Sequence, residues 1–297
     1  MLIQIKKLFK LIIYRIIFPL FLKSRLFNLI FDHYSIFKNG NIINIQNLFG
    51  FNIYQNSHDI VNYSKFANLS IKNAAKLEIE LDYIYNNVAN GSKVIDVGAN
   101  IGFYTFALSE IVGENGNVYS FEPGPVSYAL LSRNIYTNLS VTKNIKAYNN
   151  IVSDENGIGI LDVCTSGESD NQVVTGKQKH NDSQIEIKKI KLDDIISDEC
   201  KNNISYIKVD TQGHEYYVLK GAKNIIEASK CIKMSIEFAP YLPTWQNFTI
   251  EDMYRLIKAY NLKIYDIINL NIEVDLDYLQ SNYQKNLKKY TTLILEK

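Results

Sequence analysis

The amino-acid sequence predicts an α/β fold, in which helices cover both faces of a mostly parallel sheet and an N-terminal helical extension precedes the sheet. From about residue 67 onward, apolar strand-like runs alternate with helix-like runs, and this alternation is typical of βαβ units. Several strand-like runs end on a carboxylate, as expected where the carboxyl ends of parallel strands face a ligand. We therefore expect one domain over residues 67–297 and an N-terminal extension and cap over residues 1–66.

The elements of this domain are predicted from the spacing of apolar residues and from Gly, Pro and Asn at their ends. Strands are predicted over 92–97, 117–123, 145–154, 204–210, 231–238, 263–268 and 290–297. Helices are predicted over 76–91, 102–112, 125–138, 215–226 and 251–260. The stretch 165–184 is polar and carries Gly and Ser, so it is predicted to be a surface loop.

Composition excludes some classes of protein. The chain has 297 residues, 46% of them hydrophobic, which is enough for a sizeable core. Its net charge of +1 argues against a nucleic-acid-binding protein. The cysteines are three in number and widely spaced, at positions 164, 200 and 231, and this spacing matches no metal-ligand pattern. An odd number of cysteines is typical of a reducing compartment, so we expect a cytoplasmic protein.

The first 25 residues differ in character from the rest of the chain. They contain six basic residues and no acidic residue, among large apolar side chains. The apolar stretch 11–22 is interrupted by Arg15 and Pro19 and is shorter than the roughly 20 residues of a membrane span. No cleavage site of small residues follows, so a secretory signal is not expected. Two interpretations stay open: peripheral contact with the anionic inner face of a membrane, or a helix packed on the domain or a partner.

The turn that follows the first predicted strand, VIDVGANIGFYTF over 94–106, indicates a ligand site. Gly98 and Gly102 allow a tight turn and a close approach of the backbone, and Asn100 is the non-glycine residue best suited to a positive φ. A nicotinamide cofactor would call for Gly-x-Gly-x-x-Gly. Here Asp96 precedes the first glycine, where it would repel a pyrophosphate but attract the charged amino-acid end of S-adenosylmethionine. Glu122 is placed to accept hydrogen bonds from both ribose hydroxyls.

Acidic residues stand at or just beyond the ends of successive strand-like runs. They are Asp96, Glu122, Asp154, Asp210 and Glu237. One such acid could be a helix N-cap. Five of them, at the carboxyl ends of parallel strands, would collect negative potential along one edge of the sheet, which suits a cationic ligand that carries hydroxyl groups.

Five segments of the chain together resemble the FkbM-type methyltransferases. They are VIDVGANIGFYTF, the FEP at 121–123, LDDII at 192–196, IKVDTQGHEYYVLKGA at 207–222 and MSIEFAP at 234–240. The resemblance covers about residues 75 to 240. It implies a Rossmann-like class I methyltransferase fold, S-adenosylmethionine as donor, and methyl transfer to a hydroxyl oxygen, often of a sugar or a polyketide.

The resemblance also implies which residues bind the donor. Residues of the donor loop would be Asp96, Gly98, Ala99, Asn100 and Gly102. Glu122 and Pro123 would hold the ribose, and Ser153 and Asp154 would flank the adenine. Many relatives have Glu where this chain has Gln212, so we assign that position no acid–base role. Residues 1–66 and 165–184 lie outside the resemblance, and we expect them to govern the choice of substrate.

Three residues are predicted to carry the chemistry. A sugar hydroxyl is a poor nucleophile until its proton leaves, so a nearby base assists the transfer. Asp210, His214 and Glu237 are the candidates, with His214 or Asp210 as the base and Glu237 assisting. Alternatively His214 is a partly exposed residue at a helix start, and Glu215 favours the helix N-terminus. A divalent cation held by Asp210, His214 and Glu237 is conceivable, although no ligand spacing enforces it.

The sequence therefore predicts a cytoplasmic O-methyltransferase that uses S-adenosylmethionine and acts on a hydroxyl of a sugar, glycan or glycolipid precursor. It predicts no nucleic-acid partner and allows peripheral membrane contact through residues 1–25. Two alternatives stay open: a nucleotide-linked oxidoreductase, which the pattern of the glycine turn disfavours, and a catalytically silent, membrane-associated scaffold with the same fold.

Overall fold

The computed structural model describes residues 42–56, 63–163, 171–174, 184–242, 247–284 and 287–297. The strands are β1 (Ile42–Leu48), β2 (Phe51–Asn56), β3 (Lys93–Val97), β4 (Asn117–Phe121), β5 (Ile145–Tyr148), β6 (Ile151–Val152), β7 (Gly157–Asp162), β8 (Gln172–Val174), β9 (Gln184–Ile190), β10 (Ile204–Val209), β11 (Lys233–Phe238), β12 (Lys263–Asp266), β13 (Asn269–Glu273) and β14 (Thr291–Glu296). The helices are α1 (Ile71–Ala75), α2 (Ile79–Asn87), α3 (Phe103–Val112), α4 (Pro125–Thr137), α5 (Leu192–Ile195), α6 (Asp198–Lys201), α7 (Glu215–Gly221), α8 (Lys223–Ala228), α9 (Ile250–Ala259) and α10 (Leu276–Asn282). Residues 1–41 lie outside the described residues, and with them the predicted basic segment 1–25 and much of the N-terminal extension predicted over residues 1–66. The described part of that extension contains the strands β1 and β2.

The main sheet is mostly parallel, as predicted. Within the described ranges it has eight strands in the order β13–β12–β14–β11–β10–β3–β4–β5. Strands β5, β4, β3, β10 and β11 run parallel, and β14 lies antiparallel between β11 and β12. The chain continues from β3 to β4 on one side and returns to β10 on the other. The carboxyl ends of β3 and β10 therefore flank a switch point, where open α/β sheets bind their ligands.

Helices cover both faces of this sheet because its central strands are apolar on both sides. In β3, Ile95 and Val97 face the core cluster that includes side chains of α7, α8 and α9, whereas Val94 faces the cluster that includes α2, α3 and α4. A nearly continuous apolar run of this kind is typical of a strand buried between two helical layers. The predicted fold class is confirmed for the described residues.

A second, smaller sheet has the strand order β6–β9–β7–β8. The prediction of one strand over 145–154 is therefore wrong, because this segment divides into β5 in the main sheet and β6 in the small one. The reason lies at Asn149, whose amide donates back to the carbonyl oxygens of Glu122 and Pro123, at 2.8 and 3.0 Å, and so ends the pairing with β4. The predicted loop over 165–184 is also wrong in part, because β8 pairs with β7 inside it.

Two predicted helices differ from the observed ones in their bounds. The helix predicted over 76–91 is α2, which Glu78 caps by accepting hydrogen bonds from the backbone N–H groups of Glu80 and Leu81. The helix predicted over 215–226 divides into α7 and α8. The division follows from Asp193, whose carboxylate accepts hydrogen bonds from the backbone N–H groups at the start of α8, at 2.9 and 3.0 Å.

The β1–β2 hairpin docks on α4 through two asparagines. Asn134 and Asn138 each exchange a pair of hydrogen bonds with the backbone of β2, at Tyr54 and at Asn52 respectively, over 2.7–3.1 Å. These amides take the place of a neighbouring strand along the edge of β2. The hairpin also shares one core cluster with α3. The predicted division of the chain at residue 67 stays a prediction.

None of the helices in the described part of the chain combines the length and the apolar character that a membrane crossing requires.

Candidate active site

A cleft opens at the carboxyl ends of β3, β4 and β10. It encloses about 1080 Å³ of empty space, including its open mouth. Three loops contribute to its wall: residues 98–100 after β3, residues 122–123 after β4, and residues 210–212 after β10. This is the edge of the sheet at which the sequence predicts the site, and open α/β sheets bind their ligands there.

The loop after β3 has the backbone that the sequence predicts. Gly98, Asn100 and Gly102 have φ angles of +85°, +49° and +107°, all in the left-handed region. At Gly98 a Cβ atom would lie 1.7 Å from the carbonyl oxygen of Asp210. Only glycine therefore lets the loops after β3 and β10 come together at the switch point.

Glu122 ties two of these loops to one another. Its carboxylate accepts hydrogen bonds from the backbone N–H groups of Asn100, at 2.8 Å, and Gly124, at 2.7 Å. The residue is buried and lines the cleft beside Pro123. A carboxylate offers about four acceptor positions, so one held in this way on the wall can also accept hydrogen bonds from a diol.

Asp96 is fully buried and is not among the residues that line the cleft, and its predicted part in the donor loop stays a prediction. It belongs to a fully buried row of polar side chains across four neighbouring strands: Ser120, Asp96, Lys208 and Ser235. The Thr105 hydroxyl donates to Asp96 at 2.6 Å. Burial raises the pKa of Asp96, and the nearby Lys208 ammonium opposes that rise.

Lys208 is a residue that the sequence analysis missed. Its ammonium group lies 3.3 Å from Oδ2 of Asp210 and 4.3 Å from the centre of the Tyr104 ring, on the floor of the cleft. Burial by itself would lower the pKa of Lys208, but Asp210, Glu80 and Asp96 outweigh burial and keep the pKa above its usual range. The sequence did contain a signal for Lys208, since a lysine stands inside the apolar strand ISYIKVD. A buried charge requires partners, so a lysine there indicates acidic residues nearby.

The turn after β10 is organised by Glu215. Oε1 of Glu215 accepts three hydrogen bonds: from the backbone N–H groups of Thr211 and Gly213, at 2.8 and 3.1 Å, and from the Thr211 hydroxyl, at 3.0 Å. This arrangement supports the left-handed backbone at Gln212 and Gly213, whose φ angles are +54° and +96°. Burial raises the pKa of Glu215 to about 7.

Two of the three predicted catalytic residues, Asp210 and Glu237, are joined through Gln212, and His214 lines the same cleft as Asp210. Nε2 of Gln212 lies 3.1 Å from Oδ1 of Asp210 and 3.1 Å from Oε2 of Glu237, so its amide bridges the two carboxylates. Asp210 lines the cleft with its side chain 39% exposed. Burial, followed by the charges of Asp210 and Glu215, raises the pKa of Glu237 well above its usual range.

His214, the third predicted residue, is buried and precedes α7, so the alternative of a partly exposed position is wrong. Its Nε2 lies 3.1 Å from the hydroxyl oxygen of Ser153, and its ring stacks on Tyr217 at 4.8 Å. Burial lowers the pKa of His214 to about 3, against the opposing effect of Asp154. The ring is therefore neutral at physiological pH and is a weak base.

Ser153 and Asp154, predicted to flank the adenine, lie behind the wall of the cleft. Asp154 forms an ion pair with Lys220 at 2.6 Å, and Ser153 is buried against the histidine ring. The apolar wall on this side consists of Phe121, Ile151, Val152, Leu161 and Val173. A flat, apolar group such as adenine would contact these side chains.

The opposite wall of the cleft is aromatic. Tyr63 stacks on Phe103 with ring centres 4.5 Å apart, and Tyr104 meets Phe103 edge to face at 5.1 Å. All three line the cleft next to Lys208 and Asp210. Tyr63 belongs to the N-terminal segment that we expect to influence the choice of substrate.

Within the described ranges, no group of three or more His, Cys, Asp and Glu side chains is arranged to hold a metal ion. The conceivable ligands Asp210 and Glu237 are bridged by Gln212, and Nε2 of His214 faces Ser153.

The residues around the cleft fit S-adenosylmethionine. The glycine turn lets the backbone approach a ligand, Glu122 suits a ribose diol, and the apolar wall suits the adenine. Oδ1 of Asn100 is buried without a hydrogen-bond partner among the described residues, so an acceptor is available for the amino group of a ligand. A buried polar atom without a partner calls for such an explanation.

This sheet order defines a Rossmann-like class I methyltransferase fold, together with the glycine turn after β3 and the Glu122 carboxylate after β4. The profile of the methyltransferase FkbM domain matches residues 96–264, which is more than half of the chain. The chain belongs to the FkbM methyltransferase family.

Individual relatives are more distant. The hexuronic acid methyltransferase AglP of Haloferax volcanii is 26% identical over 142 residues, which cover 48% of this chain and 54% of that protein. Protein-L-isoaspartate O-methyltransferase of Caenorhabditis elegans is 38% identical over 55 residues, 18% of this chain and 24% of the relative. The chain thus spans about half, or less, of the length of these two curated relatives.

Solved structures are similar at low identity. Methyltransferase FkbM from Methylobacillus flagellatus KT has a TM-score of 0.44 and 17% identity, over 74% of this chain and 51% of that one. An S-adenosylmethionine-dependent methyltransferase from Aquifex aeolicus has a TM-score of 0.39 and 15% identity, over 76% of this chain and 95% of that one.

Proposed function

We propose that this protein transfers a methyl group from S-adenosylmethionine to a hydroxyl group of a sugar, within a glycan or glycolipid precursor. The observation that carries the proposal is that Glu122, the glycine turn, Asp210 and an aromatic wall all line one cleft. We assign Glu122 and the glycine turn to donor binding, as the donor half of the cleft, and Asp210 with the aromatic wall to acceptor binding, as the acceptor half. The distant likeness to a hexuronic acid methyltransferase gives weak support for a sugar as acceptor.

The donor half of the cleft binds and orients S-adenosylmethionine. When bound there, S-adenosylmethionine supplies an electrophilic methyl group on a positively charged sulfur, which keeps the electron pair of the C–S bond that breaks. Glu122 holds the ribose end, and the backbone of Gly98 and Ala99 sets how closely the ligand approaches β3. Positioning of this kind accounts for much of the acceleration of a displacement with a neutral leaving group.

The acceptor half supplies the base. The acceptor oxygen forms the new bond to the methyl carbon and gives up its proton, and we assign that proton to Asp210. Asp210 lies on the wall of the cleft, and its two carboxylate oxygens are oriented by Gln212 and Lys208. His214 is buried and neutral, so we assign it a positioning role through Ser153. The aromatic wall formed by Tyr63, Phe103 and Tyr104 can stack against the apolar face of a sugar ring.

Donor binding is the first test. Glu122→Gln removes the charge that accepts the ribose hydroxyls, so S-adenosylmethionine affinity should fall by about 10- to 100-fold. Calorimetry measures this loss. Glu114→Gln removes the same charge at an exposed position and should bind normally. Equal affinity in all three folded proteins would remove the role assigned to Glu122, and preferential binding of a nicotinamide cofactor would remove the proposed donor.

Turnover is the second test. With labelled donor and a panel of sugar and glycolipid acceptors, Asp210→Asn should lower kcat by about 10²–10⁴-fold while donor affinity stays the same. Asp277→Asn, at an exposed position, is the matched control. Normal turnover by Asp210→Asn would remove the assigned base. Donor binding without transfer to any acceptor would favour the silent scaffold.

A further inference from the structure

Gln212 occupies the position between the two carboxylates that the proposed reaction uses. One amide nitrogen lies 3.1 Å from Oδ1 of Asp210 and 3.1 Å from Oε2 of Glu237. An ionised carboxylate only accepts hydrogen bonds, and a primary amide carries two N–H donors on its nitrogen. In the observed orientation the nitrogen faces both carboxylates, so it can donate one N–H to each of them.

The backbone of Gln212 is fixed for this purpose. Its φ of +54° lies in the left-handed region, which a non-glycine residue adopts at a cost of roughly 1–2 kcal/mol. The turn is held by Glu215, whose buried Oε1 accepts hydrogen bonds on both sides of Gln212, from Thr211 and Gly213. A strained residue supported in this way by its surroundings is typical of a functional site.

Asp210 and Glu237 would repel one another if both were ionised with no donor between them. Two close carboxylates are stabilised by a shared proton, by a cation, or by hydrogen-bond donors. The charged and titratable groups around this pair are Lys208 from β10, Asp96 from β3, Glu80 from α2 and Glu215 from α7. Lys208 donates to Oδ2 of Asp210 at 3.3 Å, and Gln212 donates to its Oδ1. Both oxygens of Asp210 are therefore fixed in direction.

We infer that Gln212 is a positioning residue, whose amide holds Asp210 and Glu237 as a pair that needs no bound cation. The inference rests on the proposed function, in which Asp210 accepts the proton of the acceptor hydroxyl. A glutamate at position 212 would instead place three carboxylates together. That arrangement favours a shared proton or a divalent cation, because carboxylate oxygens are the ligands that Mg²⁺ and Mn²⁺ prefer.

Two substitutions of similar size separate the loss of the donors from the gain of a charge. Gln212→Met removes both N–H donors, so the kcat of methyl transfer should fall by about 10- to 100-fold. The shape of its pH–rate profile should change as well, because the N–H donors of Gln212 contact the carboxylate that serves as base. Gln212→Glu should lose activity similarly, bind Mn²⁺ in calorimetry, and regain part of the activity with Mn²⁺. S-adenosylmethionine affinity should change by less than about threefold in both variants, because the donor half of the cleft is unaltered.

Gln284→Glu, which adds the same charge at an exposed position, should bind no Mn²⁺ and should keep the activity of the natural protein. A natural pH–rate profile and kcat in Gln212→Met would overturn the inference, as would equal Mn²⁺ binding by the natural protein and Gln212→Glu. The Mn²⁺ comparison requires only folded protein. If the natural protein methylates no hydroxyl acceptor, the proposed function fails, and the Mn²⁺ comparison still decides whether Gln212 takes the place of a cation.

Discussion

Two glycines have nearly the same φ angle but differ in the space available for a Cβ atom. Gly98 has a φ of +85° and Gly91 a φ of +80°. A Cβ atom on Gly98 would lie 1.7 Å from the Asp210 carbonyl oxygen, whereas a Cβ atom on Gly91 would meet nothing within 4 Å. The pair therefore separates the cost of a left-handed backbone from the cost of a steric clash.

We predict that Gly91→Ala costs about 1–2 kcal/mol of unfolding free energy, the strain of the backbone alone. Gly98→Ala should cost about 1–3 kcal/mol more, because the clash forces the loops after β3 and β10 apart, and it should abolish S-adenosylmethionine binding. Urea denaturation and calorimetry measure the two effects. Equal costs with normal binding in both variants would contradict the close approach at the switch point.

His214 makes stability depend on pH. Because burial lowers its pKa from 6.5 to about 3, the unfolded chain binds more protons than the native state between those values. The stabilising contribution is complete above about pH 6.5 and is lost as the pH falls, by about 2 kcal/mol between pH 6.5 and 5. Glu215 has the opposite effect on stability. Its pKa is raised to about 7, so its contribution to the free energy of unfolding is lost as the pH rises through 7.

A comparison of the natural protein with His214→Gln isolates the histidine, because both proteins retain Glu215. We predict that the natural protein loses about 2 kcal/mol more unfolding free energy than the variant between about pH 6.5 and 5. Denaturant titrations at the two pH values measure the difference. Parallel losses in the two proteins would show that His214 is not buried in its neutral form.

Single residues are predictable from sequence where one backbone requirement decides the residue type. Asn100 is an example, since its positive φ follows from its place in the turn. The need for glycine at position 221, in LKGA, could not be predicted in this way. A Cβ atom there would lie 1.9 Å from the carbonyl oxygen of Ser153, a residue distant in the sequence. Lys208 likewise depends on strand register, which places it beside Asp96.

At the scale of elements, α4 acts as a partner for an edge strand. Asn134 exchanges hydrogen bonds with the backbone of Tyr54, at 2.7 and 3.1 Å, and also donates to the carbonyl oxygen of Ile101 in the donor loop, at 2.9 Å. One side chain therefore links the N-terminal hairpin to the turn that we assign to donor binding. The link was not visible in the sequence, since it joins positions 80 residues apart.

We predict that Asn134→Ala lowers the unfolding free energy by about 2–3 kcal/mol, because it leaves partly buried backbone groups of Tyr54 and the buried carbonyl oxygen of Ile101 without this partner. Amide hydrogen exchange at Tyr54 should become faster. Asn86→Ala, which removes an exposed amide on α2, should change stability by less than about 0.5 kcal/mol. If Asn134→Ala matched this control, the hairpin would be held by apolar packing alone.

Strands and helices were predicted well where apolar periodicity is unbroken, as in β3, β4, β10, β11 and α3. The errors lie where a side chain redirects the backbone. Asn149 ends β5 early, and Asp193 starts a new helix at α8. Interactions of this kind depend on tertiary contacts, which the spacing of residues along the chain does not reveal.

At the scale of the whole molecule, residues 1–25 lie outside the described residues, and their membrane contact stays a prediction. Their six basic residues should attract anionic lipid by about 1 kcal/mol each near the surface. Removing residues 1–25 should therefore reduce sedimentation with anionic liposomes at low salt and leave S-adenosylmethionine affinity unchanged. Uncharged liposomes are the control. If the full chain ignores anionic liposomes, the segment packs against the domain or a partner.

The contact between the loops after β3 and β10 has a consequence for the order of events in the cleft. The backbone N–H of Asp210 donates to the carbonyl oxygen of Val97 at 2.9 Å, next to the contact at Gly98. A ligand that shifts one loop therefore shifts the other, and thermodynamic linkage makes the coupling reciprocal. If the acceptor raises the affinity for the donor, the donor raises the affinity for the acceptor by the same factor. The demethylated donor would then form a complex with unreacted acceptor, so that release of the demethylated donor limits turnover when acceptor is abundant.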